Sequence, residues 1–207
     1  MTSEAYFPAT AMPDADWWAA LWPDPEGALR GLGIAAGQVV VDLCCGDGHF
    51  TVPLCRLVGM SGRVYGLDMD PLLLAAAKRR MQNEAPDLVD MDCRWIEADA
   101  RRFDRLVAEK VDAVLLANTF HGVPDKTMLA GAVARVLKPD GRFVLINWHA
   151  RPQEETTVLG RPRGPKTAMR MTPRQAGDIV SSVGFDLENV IELPPYHYGA
   201  VFRLAKH

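Results

Sequence analysis

No stretch of this chain approaches the roughly 18 consecutive apolar residues that would suggest a membrane span. Cysteine is sparse: Cys44, Cys45, Cys55 and Cys93 have no zinc-ligand spacing, and two of them are adjacent. The spacing therefore demands no metal, and free thiols in a reducing cytoplasm are the expectation. There is no surplus of basic charge, with 23 Lys and Arg against 26 Asp and Glu and a formal net charge of −3. The basic footprint of a nucleic-acid partner is thus missing. The opening Met-Thr-Ser-Glu-Ala-Tyr lacks both the basic and the apolar region of a secretory signal. There is no internal repeat, and no compositional bias beyond a Pro/Gly/Arg-rich stretch near 160–174. At 207 residues, 48% hydrophobic and 24% charged, the expectation is one soluble cytoplasmic domain over 1–207. It should act on a small molecule, without a membrane or nucleic-acid partner. Oligomeric state is not legible.

The most informative segment is Val39-Val-Val-Asp-Leu-Cys-Cys-Gly-Asp-Gly-His-Phe50. Its valines read as a strand buried on both faces, ending in Asp42. A loop with Gly46 and Gly48 follows, then an apolar pattern at Phe50, Val52, Leu54, Leu57 and Val58 that suits a helix. A strand, a glycine turn and a helix N-terminus make a pocket for a ligand lying close to backbone.

The rest of the chain repeats strand and helix. Arg63 to Asp68 reads as a second strand, and Asp70-Pro71 as an N-cap with proline at the first helical position, opening a helix over 72–84. A third strand covers 93–98 and ends at Asp99, a short polar helix spans about 103–108, and a fourth strand covers 111–117. A helix over 126–137 and a Lys138-Pro-Asp-Gly141 turn lead to a fifth strand over 142–147. Thr172-Pro173-Arg174-Gln175 is a capping box that starts a helix ended by Gly184. Strands over 187–193 and 198–204 are then joined by so short a turn that they must be antiparallel neighbours. The expected fold is α/β: a doubly wound, mostly parallel seven-stranded sheet with a C-terminal antiparallel hairpin.

Asp42, Asp68 and Asp99 fall at or beside the carboxyl ends of the first three strands, where open α/β sheets bind ligands. Each alone is as readily a helix cap; three in succession, with glycines only after the first, point to a site. Here the residues resemble the class I S-adenosylmethionine-dependent methyltransferases of small-molecule type, the ubiquinone and menaquinone methyltransferases among them. Asp42-Leu-Cys-Cys-Gly46-Asp-Gly48 is similar to the family's first motif and Leu67-Asp68-Met69-Asp-Pro to its second, whose acid holds the ribose hydroxyls. Glu97-Ala-Asp99-Ala100 is similar to the third, which meets the adenine, and Ala117-Asn118-Thr-Phe-His121 to the segment bordering cofactor and substrate. The resemblance implies S-adenosyl-L-methionine as cofactor, held by Asp42, Cys44, Gly46, Gly48, Asp68, Met69, Asp99, Ala100 and Asn118. Cys44 stands where the family usually has glycine. A nicotinamide dinucleotide is the competing cofactor, because Gly46-x-Gly48-x-x-Thr51 with Asp68 downstream partly imitates its fingerprint. The competing functions are a cofactor-binding regulator without catalysis and an RNA methyltransferase.

On the acceptor side, topology places His121 after strand four, His149 after strand five and the loop Pro194-Pro-Tyr196-His197-Tyr198 at one mouth. His121, His197, His149 and Tyr196 are therefore the candidate base or orienting residues; surface loops also carry such residues for no reason of function. His49 is placed in the helix after the glycine loop and receives no role. Residues 150–174, rich in arginine, would form a substrate lid or merely a solvated face. Residues 1–36, with Trp17, Trp18 and Trp22, would form a helical cover that packs on the domain.

Overall fold

The computed structural model describes Pro13 and residues 15–88 and 90–205 of the chain. The expected N-terminal cover over 1–36 is thus described from Pro13 onward, and its residues 1–12 and 14 lie outside the described part. The seven sheet strands are β1 (Val39–Leu43), β2 (Arg63–Asp68), β3 (Cys93–Glu97), β4 (Val111–Ala117), β5 (Leu137–Trp148), β6 (Phe185–Leu193) and β7 (His197–Leu204). Their spatial order is β3-β2-β1-β4-β5-β7-β6. The first five pair in parallel, while β7 runs antiparallel to both β5 and β6. The order reverses between β1 and β4, so the crevice for a ligand opens at the carboxyl end of β1. This is the doubly wound sheet with a closing hairpin that the sequence predicts.

Helices cover both faces. They are α1 (Ala15–Leu21), α2 (Pro25–Gly31), α3 (Thr51–Val58), α4 (Pro71–Glu84), α5 (Lys126–Val136) and α6 (Pro173–Ser181). Successive strand side chains alternate faces, and β5 divides accordingly. Phe143 and Leu145 join Phe120, Phe185, Phe202, Leu129 of α5 and Val180 of α6 in one core layer. Val144, Ile146 and Trp148 join Trp18, Trp22, Leu29 and Leu54 in the other. Trp17 and Trp18 of α1 and Trp22 just after it are therefore part of a core face. Among the described residues no helix is long and apolar enough to cross a membrane.

Three local readings differ from expectation. The polar helix expected near 103–108 is a 3₁₀ turn over Ala100–Arg105, because Asp99 accepts the Arg101 N–H at 2.9 Å and caps it early. β3 accordingly stops at Glu97, one residue short. β5 begins at Leu137 rather than Arg142, since Leu137 already pairs with Val111 and the Lys138-Pro-Asp-Gly turn bulges within the strand, with Asp140 at φ +64°. Asp112 ties this entrance down: it accepts the Val39 N–H at 2.8 Å and the Lys138 ammonium at 2.9 Å, joining the starts of β1, β4 and β5.

Between β5 and α6 the chain forms 3₁₀ turns at Gln153–Glu155 and Thr167–Met169 around two short strands, Thr157–Val158 and Arg161–Pro162. Its organising residue is Arg170, 7% exposed although charged. The guanidinium donates to the carbonyls of Pro165, Arg151 and Arg163 and to the Thr156 hydroxyl, all at 2.9–3.0 Å, and lies 5.0 Å over the Trp148 ring. Replacing it leaves several shielded acceptors unpaired, each worth about 1–3 kcal/mol. Arg170→Met should thus open residues 151–169 locally by about 2 kcal/mol or more. In hydrogen exchange the amides of this segment should speed up while those of β1 and β4 keep wild-type rates.

Candidate active site

The site starts from a conflict between sterics and direction. Leu43 ends β1, and the chain must turn at once toward β2 to form the crevice. It does so at Cys44, which takes φ +61°. A side chain rarely adopts that left-handed conformation, which accounts for the glycine usual at this position in the resembled family. Cys45 N–H then reaches the Leu67 carbonyl at 2.9 Å. Gly46 N–H donates to Asp68 Oδ2 at 2.9 Å, and the Asp70 N–H donates to Oδ1 at 3.0 Å. Gly48, at φ +82°, presses the loop onto α4: a Cβ there would lie 3.0 Å from that of Ala77. Burial and the nearby Asp68, Asp42 and Asp99 push the Cys44 thiol far up, so it stays protonated.

Beneath the loop, Asp42 is 2% exposed and accepts the Thr51 hydroxyl at 2.5 Å. Burial raises its carboxyl to about 7, against the lowering by Thr51, and Asp68 adds to the rise. A cation is what would restore its charge. Asp68 and Met69 line a cavity of about 810 Å³, together with Asp42, Cys44, Gly46, Ala98, Ala100 and Asn118. Gly48 does not line the cavity; its contact is with Ala77. Asp99 does not line it: its carboxylate accepts the Arg101 backbone and guanidinium, which hold it below the usual carboxylate range.

The groups fit an adenosyl-methionine ligand on their own chemistry. Asn118, at φ +57°, turns into the cavity wall with both its amide oxygen and nitrogen buried and lacking a protein partner. A paired donor and acceptor left open in this way suits a polar ligand edge. Across the cavity the lining changes to Trp17, Trp18, Phe50 and Trp148, closed by Arg163, Gly164 and Pro165. Arg163 lies 5.0 Å over the Trp17 ring. Gly164, at φ +85°, runs flat on the Trp148 indole, where a Cβ would come within 2.8 Å.

Of the acceptor-side candidates, His121 alone lines the cavity. It is 6% exposed, and its Nδ1 lies 3.2 Å from Asn147 Oδ1. The other three do not line the cavity. His149 Nε2 meets Glu192 at 2.9 Å, and the Tyr196 hydroxyl donates to the Thr157 carbonyl at 2.8 Å while its ring stacks on Trp148. His197, 1% exposed, is wedged between the rings of Trp22 and Trp148 at 4.6 and 4.2 Å, with both nitrogens unpartnered. Burial holds it well below the usual histidine range, so it is neutral.

His49 is the lining residue that sequence reasoning passed over. It precedes α3 in the turn, not the helix, because Gly48 breaks the chain and α3 begins at Thr51. Its Nδ1 lies 3.4 Å from Arg80, whose guanidinium also holds Asp47 at 2.6 Å; its Nε2 is buried without a partner. Burial first, then Arg80, lowers it to about 4. The available signal was its position next to Gly48, which brings any side chain to the mouth of the loop. Among the described residues no three of His, Cys, Asp and Glu are grouped to hold a metal.

The raised Asp42 has a signed consequence. In the ligand-free chain the folded state holds its proton up to about pH 7, well above the usual 3.8. Between those values folding binds a proton, so this group's contribution to stability falls as pH rises. A ligand ammonium against Asp42 needs the carboxylate, so its affinity should gain up to about ten-fold per pH unit on approaching pH 7 and level off above it. Calorimetry across pH should show this slope for wild type and its absence for Asp42→Asn.

Residues 40–141 match the family described as methyltransferase domain. The chain is 32% identical over 130 residues, 63% of its length, to 2-phytyl-1,4-naphtoquinone methyltransferase of Trichormus variabilis, of which 55% is covered. It is 35% identical over 120 residues, 57% of its length, to demethylmenaquinone methyltransferase of Lactococcus lactis, of which 45% is covered. The chain thus spans about half the length of the curated relatives it matches. A solved methyltransferase from Aquifex aeolicus superposes with a TM-score of 0.74 at 22% identity, covering 88% of this chain and 90% of that one. The arsenic(III) S-adenosylmethionine methyltransferase of Chlamydomonas reinhardtii gives 0.61 at 23% identity, over 94% and 75%; both likenesses concern the fold. The glycine loop, the β2 acid and the closing hairpin agree with that match: residues 40–141 are a methyltransferase domain of the class I S-adenosylmethionine-dependent kind.

Proposed function

We propose that this chain transfers the methyl group of S-adenosyl-L-methionine to a quinone-type small molecule in its reduced, hydroxyl-bearing form. One observation carries the reading: one cavity is lined both by the Asp68–glycine loop side and by an aromatic wall, and of the four acceptor-side candidates His121 alone reaches it. The naphthoquinone and menaquinone relatives supply the substrate class. When bound, S-adenosylmethionine supplies a methyl on a sulfonium, whose leaving group is already good. The protein's work is therefore alignment and, for a protonated nucleophile, removal of a proton.

In this reading Asp42 faces the ammonium, Asp68 accepts from the ribose hydroxyls, and the Asn118 amide takes a polar edge of the donor. Trp17, Trp18 and Trp148 flank a flat ring, which a tryptophan wall accommodates by stacking. A quinone ring is electrophilic; the reduced ring carries electron density and an acidic hydroxyl. His121 takes that hydroxyl proton, and the electron pair stays on the acceptor. Residues 150–174 act as a lid through Arg163, Gly164 and Pro165, and the tryptophans of residues 1–36 as a cover. The cytoplasm as working place, and the lack of a nucleic-acid partner, belong to the same proposal; bacterial relatives, free thiols and a net charge of −3 support them.

The test is methyl transfer from labelled S-adenosylmethionine to reduced demethylated naphthoquinones, with calorimetry for the donor. Asp68→Asn should weaken donor binding about ten-fold or more, given roughly 1.5–3 kcal/mol for hydrogen bonds to a charged group. His121→Ala should lower kcat by about 10²–10⁴-fold with donor affinity unchanged. Tight donor binding without turnover on any reduced quinone would sink the reading, and NAD binding in place of the donor would sink it sooner.

A further inference from the structure

His121 has two ring nitrogens, and the one held against Asn147 decides which of them is left as a base. The ring comes from the turn after β4; its neighbour Asn147 lies on β5, directly opposite Tyr198 of β7 in the strand register. Asn147 and Tyr198 are fully buried. The amide orientation is set by a donor that cannot change: the Trp148 backbone N–H gives its hydrogen to Asn147 Oδ1 at 3.2 Å. Only an oxygen accepts there. The amide nitrogen accordingly points the other way and donates to the Tyr198 hydroxyl at 3.4 Å.

The same Oδ1 lies 3.2 Å from His121 Nδ1. An amide oxygen has no proton to give, so the contact is a hydrogen bond only when Nδ1 carries the hydrogen. The opposite tautomer would set two lone pairs against each other in a buried place, which favours the Nδ1–H form on the order of ten-fold or more. We propose that Asn147, oriented by Trp148 and Tyr198, is the positioning residue that fixes His121 as the Nδ1–H tautomer and so presents a bare Nε2 as the proton acceptor. The use of that base rests on the methyl-transfer reading above; the tautomer does not.

The charged surroundings agree with a neutral resting imidazole. The charged groups felt by the ring are Lys126, at the start of α5, and Arg170 of the lid segment. His121 shares with both the lining of a second, more open groove. Burial first, and then these two cations, lower His121, against the raising effect of Asn147. In the step itself the acceptor's O–H bond breaks, an Nε2–H bond forms, and the electron pair stays on the acceptor oxygen. The imidazolium that results keeps Nδ1–H on Asn147, so the amide need not move during the transfer.

The experiment is long-range ¹H–¹⁵N correlation of the ring nitrogens in the full chain, with His121→Gln used to assign the His121 signals. Wild type should show a protonated Nδ1 and a bare Nε2; a protonated Nε2 in the neutral ring overturns the proposal, whatever the enzyme's activity. Asn147→Leu, which keeps the branched outline and accepts nothing, should mix the tautomers and lower kcat on the order of 10²-fold, with the donor Kd unchanged. Tyr198→Phe keeps the ring and removes only the hydroxyl; it serves where Asn147→Leu fails to fold, and should give a smaller mixing. Asn147→Asp should retain the tautomer and move the acid limb of the kcat profile to higher pH, since a carboxylate favours the imidazolium. A purely structural Asn147 predicts no such movement, and an unmoved limb together with unmixed tautomers in Asn147→Leu or Tyr198→Phe refutes the assignment. Should wild type show the bare Nε2 but no reduced quinone be methylated, the tautomer stands and the methyl-transfer reading falls.

Discussion

The two hydrogen bonds that the Asp68 carboxylate accepts, from Gly46 N–H and Asp70 N–H, fix the shape of everything around the cavity. They tie the loop after β1 to the loop after β2, so that two separate strand ends become one floor. Each bond is between a charge and a backbone donor, about twice as strong as a neutral pair. The strap also sets what its neighbours must tolerate. Cys44 takes a left-handed φ so that Gly46 can reach the carboxylate, and Gly48 has to be bare so that the loop can lie on Ala77. This part of the cavity wall is thus set by backbone geometry.

The aromatic wall is built differently. Its walls are aromatic side chains brought from distant parts of the chain, Trp17 and Trp18 from α1 and Trp148 from β5, with Arg163 and Gly164 laid over them. Arg170 holds that last segment by satisfying four oxygens from within. A charged side chain here substitutes for the regular secondary structure that the segment lacks. In the proposed methyl transfer the strand-end loops hold the donor and the aromatic wall faces the acceptor.

Much of this was legible in the sequence because it depends on local rules. Alternating apolar runs and capping residues located the strands and helices, and the short turn at 194–196 required an antiparallel pair. Asp42, Asp68 and the glycines follow from the same strand-end logic. The early stop of β3 was missed because Asp99 is both a candidate ligand and a helix cap, and capping wins its carboxylate in the ligand-free chain. His149, Tyr196 and His197 stand at the expected edge, yet none lines the cavity: Tyr196 and His197 pack on the Trp148 ring, and His149 lies against Tyr198. Topology gives the edge on which a residue lies; it does not give which way an indole will fall.

What the sequence determined by itself is therefore the sheet, its closing hairpin and the ligand-facing strand ends, since each is set by patterns within a few residues. The tertiary structure alone decided that His121 rather than its neighbours reaches the cavity and that His49 joins it. It also decided that Asn147 meets both His121 and Tyr198. These outcomes depend on contacts across 26 to 51 residues of chain, where side-chain packing and burial, not local propensity, choose the partner.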